Sequence, residues 1–226
     1  VFSEVNDSAA KGNLSFPKTP RTHVRLRFST THLNEACEDI FTDEVARGLL
    51  EDVGKLCFDT LKFTSVAGVA QSPITMHFCI LERKRHLLAD LQLTGLITET
   101  EPLQKRLQSF MSAVDGSYKN VPYHNASHAC DVMMGVDWVF QSNYIQDHMT
   151  TMDHLMSLIA AAIHDAGHPG TNNFFQINTM SQAAVTYNDK SVLENMHVSM
   201  AFDMMRRDPD SNWFEMLQDG NQRTYI

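Results

Sequence analysis

The stretch from residue 151 to residue 164, TMDHLMSLIAAAIH, decides the fold class of this chain. Its apolar side chains recur every three or four positions, which places them on one face of an α-helix; they are Leu155, Met156, Ile159, Ala162 and Ile163. A turn rich in glycine and proline follows at residues 167–170 and should end the helix. We therefore predict a core-facing helix over 151–164, with a histidine at its end.

The rest of the chain shows further helical patterns and little sign of a sheet. One apolar stripe with helical spacing consists of Leu103, Leu107, Phe110, Met111 and Val114. The segment MHFCIL at residues 76–81 fits either a strand or a buried helix, and periodicity does not separate the two. The sequence predicts a compact all-α fold with short loops and no internal repeat.

Residues 1–32 differ in composition from the remainder. They are rich in Ser, Asn, Thr, Lys and Pro and show no sustained apolar period, which predicts a flexible arm or linker. The whole chain has 226 residues, of which 43% are hydrophobic, so it is long and apolar enough to form a core. We assign residues 33–226 to one helical domain.

Charge and cysteine content limit the partners and the compartment. The 18 Lys and Arg residues and 27 Asp and Glu residues leave a formal charge of -9, which opposes nucleic-acid binding. Four widely spaced cysteines without a Cys-x-x-Cys pair indicate reduced structural thiols. Neither a signal-peptide pattern nor an apolar run of the roughly 20 residues that a membrane helix needs is visible. We therefore expect a cytoplasmic protein without a transmembrane segment.

Histidines concentrate in three segments, and their spacing is the chemical signal. In YHNASHACDV, residues 123–132, His124 and His128 stand four apart, so on a helix they would project from one face. In HDAGHPGTNN, residues 164–173, His164 and Asp165 end the apolar helix and His168 follows. A histidine beside a carboxylate can supply nitrogen to one cation while the carboxylate supplies oxygen to one or two.

The third segment, YNDKSVLENMH at residues 187–197, places Glu194 and His197 three apart on one helical face. Taken singly, each of these groups is more often surface or hydrogen-bonded structure than a metal site. Two further pairs, Asp147–His148 and Asp153–His154, show how readily such dipeptides occur, and we interpret both as solvated helix positions.

Burial of the His164–Asp165 pair favours a metal site. The apolar run LIAAAI places the carboxylate at the end of a core helix, where an unpaired charge is costly and a cation would neutralise it. Nitrogen and oxygen ligands without thiolate suggest a zinc-like ion at the histidines and magnesium or manganese at a neighbouring oxygen-rich site. Two such ions are a recurring device for attack on phosphorus.

Together, YHNASHACDV, HDAGHPGTNN and YNDKSVLENMH resemble the signature segments of the class I cyclic nucleotide phosphodiesterase catalytic domain, a member of the HD-type metal-dependent phosphohydrolase superfamily. They occur in the family's order and with similar spacing, and CFDTLKF at residues 57–63 is a lesser match. The resemblance covers roughly residue 49 to the C-terminus. It implies an all-helical, phosphodiesterase-type bundle, in agreement with the apolar periodicity.

The resemblance also implies roles for individual residues. His124 matches the family's general acid, which protonates the O3′ leaving group. His128, His164 and Asp165 match ligands of the tighter metal, usually zinc, and Asp165 also bridges to a second ion, magnesium or manganese. Tyr123 matches a tyrosine beside the substrate pocket.

Four more residues match supporting positions around the metals. His168 and Glu194 match residues that hold metal-bound waters, and Asn173 and His197 match further supporting positions. The implied reaction is hydrolysis of a 3′,5′-cyclic nucleotide, cyclic AMP or cyclic GMP, to the 5′-monophosphate by a hydroxide that two metals activate. Regulatory domains or oligomer partners are compatible with the resemblance.

The chain departs from the family pattern at three places. Gly167 stands where an acidic residue is common, and Met196 precedes His197 where the family usually has two histidines. The family's domain also continues beyond Ile226, supplying a fourth metal-ligand aspartate and a purine-binding glutamine, so we expect a domain truncated at its C-terminus, with residues 33–226 as its N-terminal and central part. A different HD-type nucleotide phosphohydrolase and a truncated, non-catalytic binding domain remain the alternatives.

Overall fold

A computed structural model describes residues 44–66 and 68–217, and these ranges contain helices and no strand. The eleven α-helices of this part are α1 (Glu44–Leu50), α2 (Thr60–Thr64), α3 (Pro73–Arg85), α4 (Leu87–Leu93), α5 (Thr100–Asp115), α6 (Ala126–Phe140), α7 (Asn143–His148), α8 (Thr151–Ile163), α9 (Asn173–Asn178), α10 (Gln182–Thr186) and α11 (Val192–Arg207). Two 3-10 helices follow, Pro209–Ser211 and Trp213–Met216. The predicted all-α fold is confirmed, whereas the predicted arm at residues 1–32 lies outside the described residues.

The helix predicted over residues 151–164 is confirmed as α8. It begins with a capping box, in which Thr150 and Asp153 exchange side-chain and backbone hydrogen bonds, and it ends one residue before His164. Its apolar face packs on α6, and α3 packs on α6 and α5. No described helix combines the length and apolar character needed to cross a bilayer.

The segment MHFCIL lies within α3, which resolves the strand-or-helix alternative in favour of a buried helix. The N-cap residue of α3, Ser72, makes no side-chain capping bond. Asp115, the last residue of α5, caps α3 instead, accepting hydrogen bonds from the amides of Ile74 and Thr75 at 2.9 Å each. Burial raises the pKa of this carboxyl group to about 6, although the hydrogen bonds from Thr75 and Ile74 oppose the rise. These hydrogen bonds hold the end of α5 against the start of α3, shortly before the first histidine segment.

A buried ion pair joins α3 to α6. Arg85 donates to both oxygens of Asp137, at 2.9 and 2.7 Å, and Asp137 is completely buried. Burial raises the pKa of Asp137, but hydrogen bonds from His154 and Arg85 outweigh it, so the net pKa is lowered. The turn at Gly54 lies against the pair with φ +81°, where a Cβ atom would meet the guanidinium.

His154 belongs to this buried group, so its predicted solvation is wrong. Its ring stacks on Phe140 with 4.3 Å between centroids, and its Nε2 atom lies 3.2 Å from Asp137 Oδ1. Asp147 and His148, at the end of α7, are exposed as predicted. Both histidines lie on helices, as their spacing predicted, but α6 covers only His154.

Candidate metal centre

The start of α6 positions the first two histidines. Asn125 Oδ1 accepts hydrogen bonds from the amides of Ser127 and His128, at 3.1 and 3.2 Å, and so caps the helix. His128 lies in the first turn, whereas His124 precedes the N-cap residue Asn125 and so lies outside the helix. The prediction that the two histidines project from one helical face is therefore wrong, although their rings lie only 6.0 Å apart.

His164 and Asp165 follow directly after α8, as the apolar run predicted. His164 Nδ1 lies 2.8 Å from Ala161 O, and because a carbonyl can only accept, Nδ1 carries the proton of the neutral ring. The Nε2 atom then presents a lone pair, and it lies 3.1 Å from Asp165 Oδ2. Two acceptors at this distance repel each other unless a cation lies between them.

Asp165 is the residue around which the other groups gather. His128 Nε2 lies 3.6 Å from its Oδ2 atom, and His197 Nε2 lies 3.8 Å from its Oδ1 atom. One ligand atom each of His128, His164 and Asp165 fall within 4.8 Å of one another. Burial, and then the proximity of His164, lower the pKa of His128, which keeps its nitrogen available to a metal. Two nitrogens and one oxygen are a donor set that suits zinc.

His124, Asp165 and His168 form a second group whose ligand atoms lie within 4.8 Å, but the tautomer of His168 argues against direct metal binding. The amide of Gly170 donates to His168 Nδ1 at 3.0 Å, so the proton of the neutral ring lies on Nε2. Burial lowers the pKa of His168 and favours this neutral form. The ring stacks on His124 at 3.8 Å between centroids and offers the site a hydrogen-bond donor.

His197 has the opposite tautomer. Its Nδ1 atom donates to Ala166 O at 2.6 Å, which leaves a lone pair on Nε2 facing Asp165. The ring is buried, and this burial lowers its pKa even though the hydrogen bond to Ala166 opposes the effect. His197 therefore presents an acceptor where His168 presents a donor.

Asn173, the first residue of α9, connects that helix to α11. Its amide nitrogen donates to both carboxylate oxygens of Glu194, at 3.2 and 3.0 Å, and its Oδ1 atom accepts from the amide of Leu193 at 2.9 Å. Ser191, the N-cap residue of α11, makes no side-chain capping bond, so Asn173 supplies this bond from another helix. The hydrogen bond from its own backbone amide, and then that from the Asn173 side chain, lower the pKa of Glu194.

Comparison with known proteins assigns these segments to a family. A family model described as 3′5′-cyclic nucleotide phosphodiesterase matches residues 123–226, which include every predicted site residue. The 3′,5′-cyclic-AMP phosphodiesterase 4C of Rattus norvegicus is 33% identical over 158 residues, which make up 70% of this chain and 27% of that protein. Residues 123–226 therefore match part of a class I cyclic nucleotide phosphodiesterase catalytic domain.

Two further relatives support the assignment to this phosphodiesterase family. The high affinity cAMP-specific and IBMX-insensitive 3′,5′-cyclic phosphodiesterase 8A of Mus musculus is 35% identical over 119 residues, 52% of this chain and 14% of that protein. The dual specificity calcium/calmodulin-dependent 3′,5′-cyclic nucleotide phosphodiesterase 1B of Mus musculus is 41% identical over 116 residues, 50% of this chain and 22% of that protein. The chain spans 14% to 27% of the length of these three relatives.

Gly167, one departure from the phosphodiesterase pattern, has a local explanation. Its φ of +74° favours glycine, and the side chain of Met200 packs where a Cβ atom would lie. Met196, the other departure, is half-buried on the same helix as Met200. Neither position carries one of the nitrogen or oxygen atoms that surround Asp165.

Tyr123 lies at the outer edge of the site. Its ring is 63% exposed and lies 4.5 Å from the His128 ring and 5.0 Å from the His124 ring, measured between centroids. An exposed aromatic face beside the two histidines fits the predicted place next to substrate, and its role stays a prediction.

Sequence reasoning missed Tyr118 and the backbone of Gly170. The hydroxyl of Tyr118 bonds to Ala162 O and to the amide of Asp165, at positions 44 and 47 residues further along the chain. No spacing rule relates residues so far apart. The Gly170 amide belongs to a recognisable Pro-Gly turn, but only the fold shows that it faces His168 Nδ1.

Proposed function

We propose that this chain carries the metal-binding centre of an enzyme that hydrolyses 3′,5′-cyclic nucleotides to 5′-nucleoside monophosphates. The observation that carries the proposal is the convergence of ligand atoms of His128, His164 and Asp165 within 4.8 Å, with the Nε2 lone pair of the neutral His164 ring facing the carboxylate. The names of two of the three relatives above specify cyclic AMP and that of the third is dual specificity, so cyclic AMP is the first substrate to test and cyclic GMP the second.

We infer that His128, His164 and Asp165 hold a zinc ion and that Asp165 also contributes to a site for magnesium or manganese. Imidazole nitrogen favours zinc, and carboxylate oxygen suits magnesium or manganese. Bound cations would lower the pKa of a water nucleophile and counter the negative charge that develops on the phosphoryl oxygens.

The surrounding residues have separate tasks in the proposed reaction. Water forms the new bond to phosphorus and releases one proton to solvent as the bond from phosphorus to O3′ breaks, and His124 donates the proton that O3′ requires. His168 would offer a hydrogen-bond donor at Nε2 and His197 an acceptor at Nε2 to water in the site, because their Nδ1 atoms are fixed by Gly170 and Ala166. Asn173 holds the Glu194 carboxylate at the edge of the site.

The proposal includes the domain and the compartment. Residues 33–226 would form the N-terminal and central part of the catalytic domain, and Tyr123 would border the bound nucleotide. A cytoplasmic location accords with the free thiols of Cys57, Cys79 and Cys130. The formal charge of -9 disfavours a nucleic-acid partner.

The test uses the natural full-length protein that carries this chain. Metal content is measured by mass spectrometry, and cyclic AMP, cyclic GMP and nucleoside triphosphates are offered with magnesium. We expect bound zinc and release of a 5′-monophosphate from a cyclic nucleotide, lost in Asp165→Ala and retained in the exposed control His148→Ala. Hydrolysis of triphosphates instead would favour another HD-type phosphohydrolase, and bound metal without turnover would favour a binding domain; either result overturns the proposal.

A further inference from the structure

The hydroxyl group of Tyr118 lies at the end of α8, between two backbone groups. It donates to Ala162 O at 3.0 Å and accepts from the amide of Asp165 at 3.3 Å. Tyr118 follows α5 by three residues, and its half-buried ring packs against the hydrophobic core. One hydroxyl therefore serves as both donor and acceptor where the helix ends.

This contact changes the backbone hydrogen bonds that would otherwise end the helix. In a regular α-helix, the amide of Asp165 would donate to Ala161 O, four residues earlier. Here it donates to Tyr118, and Ala161 O accepts instead from His164 Nδ1 at 2.8 Å. The phenol thus accepts the hydrogen bond of the Asp165 amide, and the imidazole of His164 donates to Ala161 O in place of that amide.

We propose that Tyr118 is a positioning residue that sets the tautomer of His164 for metal binding. With the proton fixed on Nδ1 by Ala161 O, the Nε2 lone pair points to the site. Metal-ligating histidines commonly donate their other N–H group to a carbonyl or carboxylate, which fixes both tautomer and orientation. The inference rests on the proposed metal site, but the tautomer exists in the metal-free protein and can be measured there.

The environment of Tyr118 keeps its hydroxyl in the form that this role needs. Burial raises the pKa of Tyr118 well above its ordinary value, and the nearby Asp165 carboxylate adds to the rise. The phenol therefore keeps its proton at neutral pH. Because that proton is committed to Ala162 O, the oxygen is free to accept from the Asp165 amide.

The decisive variant is Tyr118→Phe in the full chain, which keeps the ring and removes the hydroxyl. Imidazole 15N shifts are recorded for the metal-free protein at a pH at which histidines are neutral, and the His164 signals are assigned by their loss in His164→Asn. We expect the Nδ1–H tautomer in the wild type and a shift toward Nε2–H in the variant. The zinc dissociation constant of the folded variant should rise about 10- to 100-fold, the usual cost of losing an outer-shell partner.

Two control variants separate positioning from loss of stability. Tyr144→Phe removes a hydroxyl from an exposed tyrosine on α7, and Val114→Ala destabilises the core through a buried residue of α5. Both should keep the His164 tautomer and the zinc affinity of the folded protein. Wild-type tautomer and affinity in Tyr118→Phe would overturn the proposal.

The wild-type spectrum gives a reading that needs no variant. An Nε2–H tautomer of His164 in the metal-free wild type overturns the proposal even when Tyr118→Phe fails to fold. Failure of the proposed function has a different signature, because a wild type that binds no zinc would still show the Nδ1–H tautomer and its dependence on Tyr118.

Discussion

Two buried aspartates, Asp137 and Asp165, both face histidine nitrogens, yet they differ in what compensates their charge. Arg85 binds both oxygens of Asp137 in a bidentate ion pair, and His154 adds a nitrogen 3.2 Å away. The chain therefore supplies its own cation at this position. Because Asp137 is completely buried, its carboxylate is shielded from ions in solution, and the group acts as a structural link between α3, α6 and α8.

Asp165 has no such cation among the described residues. Within residues 44–66 and 68–217, its ion-pair contacts are with His128, His164 and His197, at 3.1 to 3.8 Å. In the neutral rings of His164 and His197, the nitrogens that face it are acceptors. The two carboxylates therefore differ in their neighbours: Asp137 has a cation beside it, whereas Asp165 lies among side chains that could hold a metal ion, as we propose.

The largest expected effect comes from removing the cation of the first group. Arg85→Met leaves Asp137 buried without its partner, and breaking such a pair costs about 3–5 kcal/mol. We expect the free energy of unfolding in urea to fall by this amount, while zinc affinity of the folded protein stays unchanged. Lys62→Met, at an exposed position on α2, is the matched control and should change stability by less than about 0.5 kcal/mol.

Asp165→Asn should have the opposite pattern, with weaker zinc binding and no loss of stability. It removes an anionic ligand and should weaken zinc binding by more than about 100-fold, about 2.7 kcal/mol, since outer-shell partners alone cost about 10- to 100-fold. The metal-free variant should be as stable as the wild type or more stable, because a carboxylate facing lone pairs is gone. Calorimetric zinc titration and urea unfolding measure the two effects. A metal-free variant as unstable as Arg85→Met would erase the distinction between the two aspartates.

His154→Ala tests the histidine of the structural group. Loss of a buried ring stacked on Phe140 should lower the free energy of unfolding by about 2 kcal/mol without altering zinc affinity. His148→Ala removes an exposed ring and should be close to neutral. Equal thermal midpoints for the two variants would contradict the burial of His154.

Asn173→Ala should have the smallest effect, at the edge of the metal group. It removes the capping bond to the Leu193 amide, which is worth about 1 kcal/mol, and frees the Glu194 carboxylate. We expect a drop of this size in unfolding free energy and a fall in turnover with zinc content retained. Loss of zinc in this variant would instead show that Asn173 supports the metal ligands themselves.

Most of the fold could be predicted from local sequence, because helical period and capping are local properties. The stripe on α5 and the helix over 151–164 needed only spacing. The N-cap at Asn125 was equally local, and attention to it would have placed His124 outside α6. Convergence of the three histidine segments was predictable from chemistry, since the carboxylate after LIAAAI needed a cation.

Distant contacts that no motif signals could not be predicted from the sequence. Nothing near residue 137 indicates that Arg85, 52 residues earlier, neutralises it. The same holds for Tyr118, whose partners lie at the end of α8. The pairs Asp147–His148 and Asp153–His154 look alike in sequence, yet only His154 is buried, because burial depends on which helix packs over the pair.

The opposite tautomers of His168 and His197 place a hydrogen-bond donor on one ring and an acceptor on the other. Their rings are nearly parallel, 17° apart in orientation and 5.5 Å between centroids. A water molecule that bridges them must accept from His168 Nε2 and donate to His197 Nε2, because the Gly170 amide and Ala166 carbonyl fix where each ring holds its proton. The Gly170 amide and the Ala166 carbonyl would therefore set the orientation of any water molecule that binds between the two rings.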